Sequence, residues 1–221
     1  MVFQNIKLQG SIFTPDLSIT NTLPILNCIS EALPKELNEN PIALPIPQDA
    51  PANFPRIQFN SKDEKWRFSM SLERIDLVFL ALSLEKADSC NEKDFAGILA
   101  DFFTKIKQGL DLSVQRLAFV TQRAASIQDS ASLIIEKFCR PEYQEKGAAF
   151  NNAEKFEIHS YKKYTWNNFD LNSWVRVKAA DLKLKTITPA VSLENDLNTL
   201  SLGEAPYKRF SLEEIEKFYR G

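Results

Sequence analysis

One histidine, three cysteines and a run of interleaved cations and aromatics are the residues of this chain that could do chemistry. His159 stands alone, whereas imidazole-built zinc or iron sites usually take two or three histidines. It sits beside Ile158 in a predicted strand, and a surface or half-buried sheet position is the simplest role for it. Cys28, Cys90 and Cys139 are far apart and form no C-x-x-C pair. Neither a structural zinc nor a thioredoxin-type couple is therefore expected. Cys28 and Cys139 fall on or next to apolar helix faces and read as core residues. A Cys–His nucleophilic pair stays open, because such pairs are assembled in space.

The six glycines form neither G-x-G-x-x-G nor G-x-x-x-x-G-K-[ST], so no backbone phosphate cradle is expected. Glu213, Glu214 and Glu216 cluster in the first turns of a predicted helix, where acids complement the helix dipole and face solvent. No catalytic carboxylate pair, metal-ligand set or cofactor site is expected.

Residues 154–185 carry more promise. Lys162, Lys163, Arg176 and Lys178 alternate there with Tyr161, Tyr164, Trp166 and Trp174. Cations can hold a phosphate backbone while aromatic faces stack on bases. Lys162, Lys163, Tyr164, Arg176 and Lys178 are thus the candidates for a nucleic-acid or nucleotide site. The competing account is that lysines and aromatics are both at home on a half-exposed antiparallel sheet. The formal charge of −2 argues against wholesale attraction to DNA, RNA or anionic lipid.

Elements must position these residues. A chain of 221 residues can bury a core without a staple. Its apolar fraction of 44% and charged fraction of 25% are those of a soluble globule. The odd cysteine count fits a reducing cytoplasm. The N-terminal MVFQNIKLQG lacks the pattern of a signal peptide. The most apolar run, Leu77 to Leu84, is too short to span a bilayer.

Ile6 to Thr14 reads as a strand with Ile6, Leu8 and Ile12 on one face. A helix is predicted from about Thr22 to Leu33, with Ile25, Cys28, Ile29, Ala32 and Leu33 on one side. Residues 34–55 form a stiff connector holding Pro41, Pro45, Pro47, Pro51 and Pro55. Three strands follow: Arg56 to Asn60, a second in which Trp66, Phe68, Met70 and Leu72 alternate with polar residues, and Ile75 to Leu84. The last is apolar on both faces, so both faces should be covered. Phe95, Ile98, Leu99, Phe102 and Ile106 mark a helix from Glu92 to Gly109.

The order then restarts. Val114 to Arg123 is a strand, Ser130 can cap a helix, and strands follow at about 155–164, 173–185 and 190–199. Ser211 and Glu214 form a capping box that opens the last helix. The expected fold is α+β: curved antiparallel sheet backed by helices, built from two pseudo-symmetric β-α-β-β-β-α halves. They would occupy about 1–111 and 112–221 of a single domain. SIFTP near Phe13 and LAFVTQ near Phe119 are a faint echo of the repeat.

The run PRIQFNSKDEKWRFSMSLERIDLVF, the aromatic-rich helix after it and the late DLNTLS strand resemble a sporadically distributed family of uncharacterised bacterial proteins. The resemblance implies a bacterial protein and transfers no catalytic residue. In element order the chain also resembles the TATA-box-binding-protein saddle and SecB-type export chaperones, as fold analogies only.

The expected function is that of a non-enzymatic binding protein of the bacterial cytoplasm, presenting a curved sheet to a protein or peptide. Trp66, Phe68, Trp166 and Trp174 are the candidate contacts, and a homo-oligomer is allowed. Nucleic-acid or nucleotide binding through residues 155–185 is the alternative. An enzyme of unrecognised type is the third reading, and it needs a pocket that collects His159 or a cysteine with carboxylates.

Overall fold

A computed structural model describes residues 2–15, 17, 19, 21–47, 49–201 and 203–221. Met1, the first residue of the N-terminal MVFQNIKLQG run, and Gln48 of the Pro-rich connector lie outside the described residues.

The first strand, β1 (Gln4–Phe13), turns Leu8, Gly10 and Ile12 toward the helices. A bulge between Asn5 and Lys7 shifts its register against the neighbouring strand. The bulge corrects the expectation for Ile6, because an extra residue reverses the alternation. Ile6 leaves the Leu8–Ile12 cluster and packs with Ala124, Leu182 and Ala190.

Helix α1 (Thr22–Ala32) starts where Asn21 accepts a hydrogen bond from the Leu23 amide, and it buries Ile25, Ile29 and Ala32. The connector contributes a two-residue strand, β2 (Ile42–Ala43). Then come β3 (Ile57–Asn60), β4 (Trp66–Met70) and β5 (Arg74–Leu80). Helix α2 (Glu92–Gly109) has the predicted bounds and is capped by Asn91, which accepts from the Lys93 and Asp94 amides.

The second series is β6 (Arg116–Ser126), α3 (Ser130–Phe138), β7 (Glu157–Trp166), β8 (Phe169–Lys183), β9 (Ile187–Thr199) and α4 (Leu212–Arg220). Ser130 is the first helical residue of α3, not its cap; Asp129 occupies the cap position without a side-chain bond. The Ser211–Glu214 capping box of α4 is complete in both directions.

The nine strands among the described residues form one antiparallel sheet in the order β2-β3-β4-β5-β1-β6-β9-β8-β7. The main core lies between the sheet's middle and helices α2 and α4. Its rings interlock: Phe95 stacks on Trp66 and Phe119, and Phe103 meets Tyr219. Helix α3 packs against β8 and β9.

Strand β5 lies inside the sheet, between β4 and β1, as its apolar run suggests. Helices cover one of its faces; the second covering layer expected on the other face is not formed by the described residues of this chain. Ile75, Leu77 and Phe79 are buried, whereas Asp76, Val78 and Leu80 are half-buried on the other side.

Tyr219 ties α4 to the seam of the sheet. Its fully buried hydroxyl lies 2.8 Å from the Ser11 carbonyl oxygen and 3.2 Å from that of Ala118, to which it can donate. Burial drives its ionisation well above the usual tyrosine range. Tyr219→Phe removes this donor without changing the packing, and is expected to cost about 1–2 kcal/mol in urea denaturation. An unchanged midpoint would show that the hydroxyl adds nothing.

Candidate binding groove

Alternation along the strands decides which side chains meet the helices and which face away. On β1 the residues facing away are Lys7, Gln9, Ser11 and Phe13. Strand pairing extends them into rows across the sheet. One row runs Asp76, Ser11, Ala118, Asn198, Asn172, Lys163. The next runs Val78, Gln9, Val120, Asp196, Trp174, Tyr161. A groove of about 530 Å³ lies over these rows, and Arg74, Phe13 and Arg116 line it too.

The groove is held by cross-strand polar bonds. Asp76 accepts across the strand pair from Ser11 Oγ (2.5 Å) and Gln9 Nε2 (3.0 Å), and from Arg74 Nε (2.7 Å) on its own strand. Arg176 pairs with Glu194, and Asp196 lies 3.8 Å from the same guanidinium. The Tyr161 and Trp174 rings lie 4.6 Å apart, and the Tyr161 hydroxyl donates to Asn172 (2.8 Å).

One loop residue closes the rim. Glu204 reaches back from the segment between β9 and α4 and accepts from Lys163 Nζ (2.5 Å), the Ser201 amide (3.0 Å) and Ser201 Oγ (2.8 Å). The Lys163 bond first, then the two Ser201 bonds, lower its carboxyl to about 2. The same contact raises Lys163. Arg116 is pushed the other way, downward, chiefly by burial.

The four candidate contacts expected from sequence do not share a surface. Trp66 and Phe68 project into the helix-covered layer. Phe68 is 1% exposed between Phe59 and Phe102, so it has no surface to offer a partner. Trp166 lies at the far end of the sheet against Gly221. Only Trp174 lines the groove. The physical reason is parity: β4 turns its aromatic face to α2, and β8 turns Trp174 away from the helices.

The candidate nucleic-acid residues are divided as well. Lys162 and Tyr164 fall on one face of β7, where the ammonium sits 4.7 Å from the ring centroid. Lys163, Arg176 and Lys178 fall on the other. Lys163 and Arg176 are already paired with carboxylates, and Lys178 lies opposite Glu157. The basic stretch is therefore not one continuous cationic footprint.

His159 stands on β7 across from Arg176, with Nε2 3.5 Å from Glu157. Cys28 lies on the opposite side of the sheet beside Gly109, and burial followed by the Glu31 charge raises its thiol. The structure does not bring the two together. Cys90 is raised by burial and by Asp94. Among the described residues no group of three His, Cys, Asp or Glu side chains could hold a metal ion.

Phe13, Arg74, Asp76 and Arg116 were not singled out by sequence. The available signal was Phe13 itself, an aromatic at a polar parity position of β1.

No protein-family model matches the chain, and no curated protein matches it. Among the described residues no helix is long and apolar enough to cross a membrane.

Proposed function

We propose that the protein is a non-enzymatic binding module of the bacterial cytoplasm, and that it presents the groove-bearing face of its sheet to a protein or peptide. The observation that carries this reading is the groove itself. Aromatic and charged side chains line a solvent-open face in fixed positions, braced by cross-strand bonds to Asp76, Glu194 and Asn172. Rigid strands position contact residues more accurately than loops do.

The reading includes a single domain of two pseudo-symmetric halves. Support comes from connectivity. Strand, helix, three strands and helix occur twice, apart from the small β2. The β3-β4-β5-β1 order of the first half is mirrored by β7-β8-β9-β6 in the second, with β1 and β6 adjacent.

A protein partner is favoured over nucleic acid by charge. A phosphate backbone laid on this face would meet Glu194, Asp196 and Glu204, and would compete with the ion pairs these acids form.

A photo-crosslinking side chain at Val120, within the groove, is expected to yield discrete protein adducts in the native host. The same group at Lys105, on the exposed side of α2, is expected to yield none. Equal adducts from both positions, or none from Val120, overturn the reading. Nucleic acid recovered in the Val120 adducts would favour the alternative.

A further inference from the structure

Phe13 stands on β1 directly between Arg74 on β5 and Arg116 on β6. The two guanidinium carbons lie 5.2 and 4.9 Å from its ring centroid. Two like charges share one aromatic ring, so each needs an answering anion. Arg74 has one: its Nε donates to Asp76 and its Nη2 to Ser11 Oγ (3.2 Å).

Arg116 has none among the described residues. No carboxylate there lies within ion-pair distance of it, and its Nε is buried without an acceptor. Asp196 and Glu204 attract it only at longer range. Both are engaged elsewhere, Asp196 by Arg176 and Asn198, Glu204 by Lys163 and Ser201. Arg116 lines the groove, so an anion lying there can meet its guanidinium, and a charged group left without a partner carries a cost that such an anion removes.

The geometry points to Arg116 as the seat of an acidic side chain carried by the partner polypeptide. This rests on the reading that the groove is the binding face. A guanidinium presents a flat fork that a carboxylate meets with two parallel bonds. The acids around the seat select for low charge. A phosphate monoester carries about −1.5 to −2 near neutrality and is repelled more strongly by Asp196 and Glu204 than a singly charged carboxylate. The groove runs from Arg116 across the strands to Trp174 and Tyr161, which suits an extended chain better than a small acid.

The test follows the Nε–Hε resonances of the arginines by NMR in the intact protein. Four probes are titrated: acetyl-Gly-Gly-Asp-Gly-Gly-amide, its Asn counterpart, sodium acetate and inorganic phosphate. The Asp peptide is expected to shift Arg116 saturably and to leave Arg74, held by Asp76, unmoved. Its affinity should exceed those of the Asn peptide and acetate by about tenfold, as fits a charge-assisted pair. Arg116→Lys keeps the charge and the stem but loses the fork, and is expected to lose about tenfold in Asp-peptide affinity.

An Arg116 resonance that ignores the Asp peptide, or answers the Asn peptide equally, overturns the proposal. Acetate binding as tightly as the peptide removes the polypeptide from it, and tighter binding of phosphate removes the carboxylate. The Asp–Asn comparison needs no variant, so it holds even if Arg116→Lys fails to fold. Silence of Arg116 alongside intact Val120 crosslinks removes the seat and leaves the binding face standing. Loss of both removes both.

Discussion

Leu77→Asp is expected to cost at least about 3 kcal/mol, whereas Val78→Asp, one residue further, is expected to cost no more than about 1.5 kcal/mol. The two positions are neighbours on β5 and differ only in the face they serve. Leu77 has no exposed surface and lies opposite Phe68 on β4, in the layer under α2. A carboxylate there would be buried among rings with no cation to answer it, and such a charge neutralises or unfolds its surroundings. Val78 faces the other way, half-buried, between Arg67 on β4 and Gln9 on β1. Aspartate loses β-propensity there, about 1 kcal/mol at most on host scales. A cross-strand pair with Arg67 returns roughly 0.2–1 kcal/mol. Urea denaturation followed by tryptophan fluorescence gives both numbers. Equal costs would mean that a further layer covers the Val78 face, and the groove would not be open.

That contrast also shows why the strand was only half legible in the sequence. Val78, Phe79 and Leu80 are apolar in a row, and an apolar row cannot say which of its members faces the core. Period-two alternation settles parity in β4, where Trp66, Phe68 and Met70 alternate with Arg67 and Ser69. It is silent in β5. The helices were easier, because α2 and α4 carry their caps and stripes together: Asn91 before Glu92, and Ser211 with Glu214. The β7–β8 hairpin runs further toward its tip than the predicted strands at 155–164 and 173–185. Asn167 and Asn168 both adopt positive φ, 48° and 68°, and close a two-residue turn between Trp166 and Phe169. Paired asparagines tolerate that conformation better than most residues, so the signal was present.

The candidate site was less legible than the fold, and for a different reason. It is built from single residues on six strands of both series, among them Phe13, Arg74, Arg116, Trp174 and Tyr161, which no local spacing connects. Sequence proximity favoured residues 155–185, and the sheet then sent their alternate members to opposite faces. The echo between SIFTP and LAFVTQ misled in the same way. Phe13 faces the groove, whereas Phe119 faces the helices and packs on Phe95 and Tyr219. Residue likeness across the two series therefore does not follow structural equivalence at these phenylalanines.

Gly10→Val is expected to cost about 3 kcal/mol or more, and a second change at Leu99 is expected to relieve part of that cost. Gly10 sits in the middle of β1, opposite Leu77 on one side and Phe119 on the other. A Cβ built there would fall 2.4 to 2.9 Å from three Leu99 side-chain atoms, closer than real carbons approach. The two effects of the substitution have opposite signs. A glycine inside a strand weakens it, so a β-branched residue should gain by propensity. Leu99 is fully buried on α2, however, and its neighbours leave it no open side, so overpacking decides the sign. Leu99→Ala alone removes a buried side chain and is expected to cost about 2–5 kcal/mol. In the double variant the new valine occupies space that Leu99 vacates. The combined loss should therefore fall short of the sum by at least about 1 kcal/mol, the signature of side chains in direct contact. Thermal and urea unfolding of the four proteins in the cycle measure the coupling. Additive costs, or a Gly10→Val variant as stable as the parent, would mean that α2 does not lie this close to β1. The helix layer would then be looser than described, and the parity that assigns Phe13, Ser11 and Gln9 to the groove would lose its anchor.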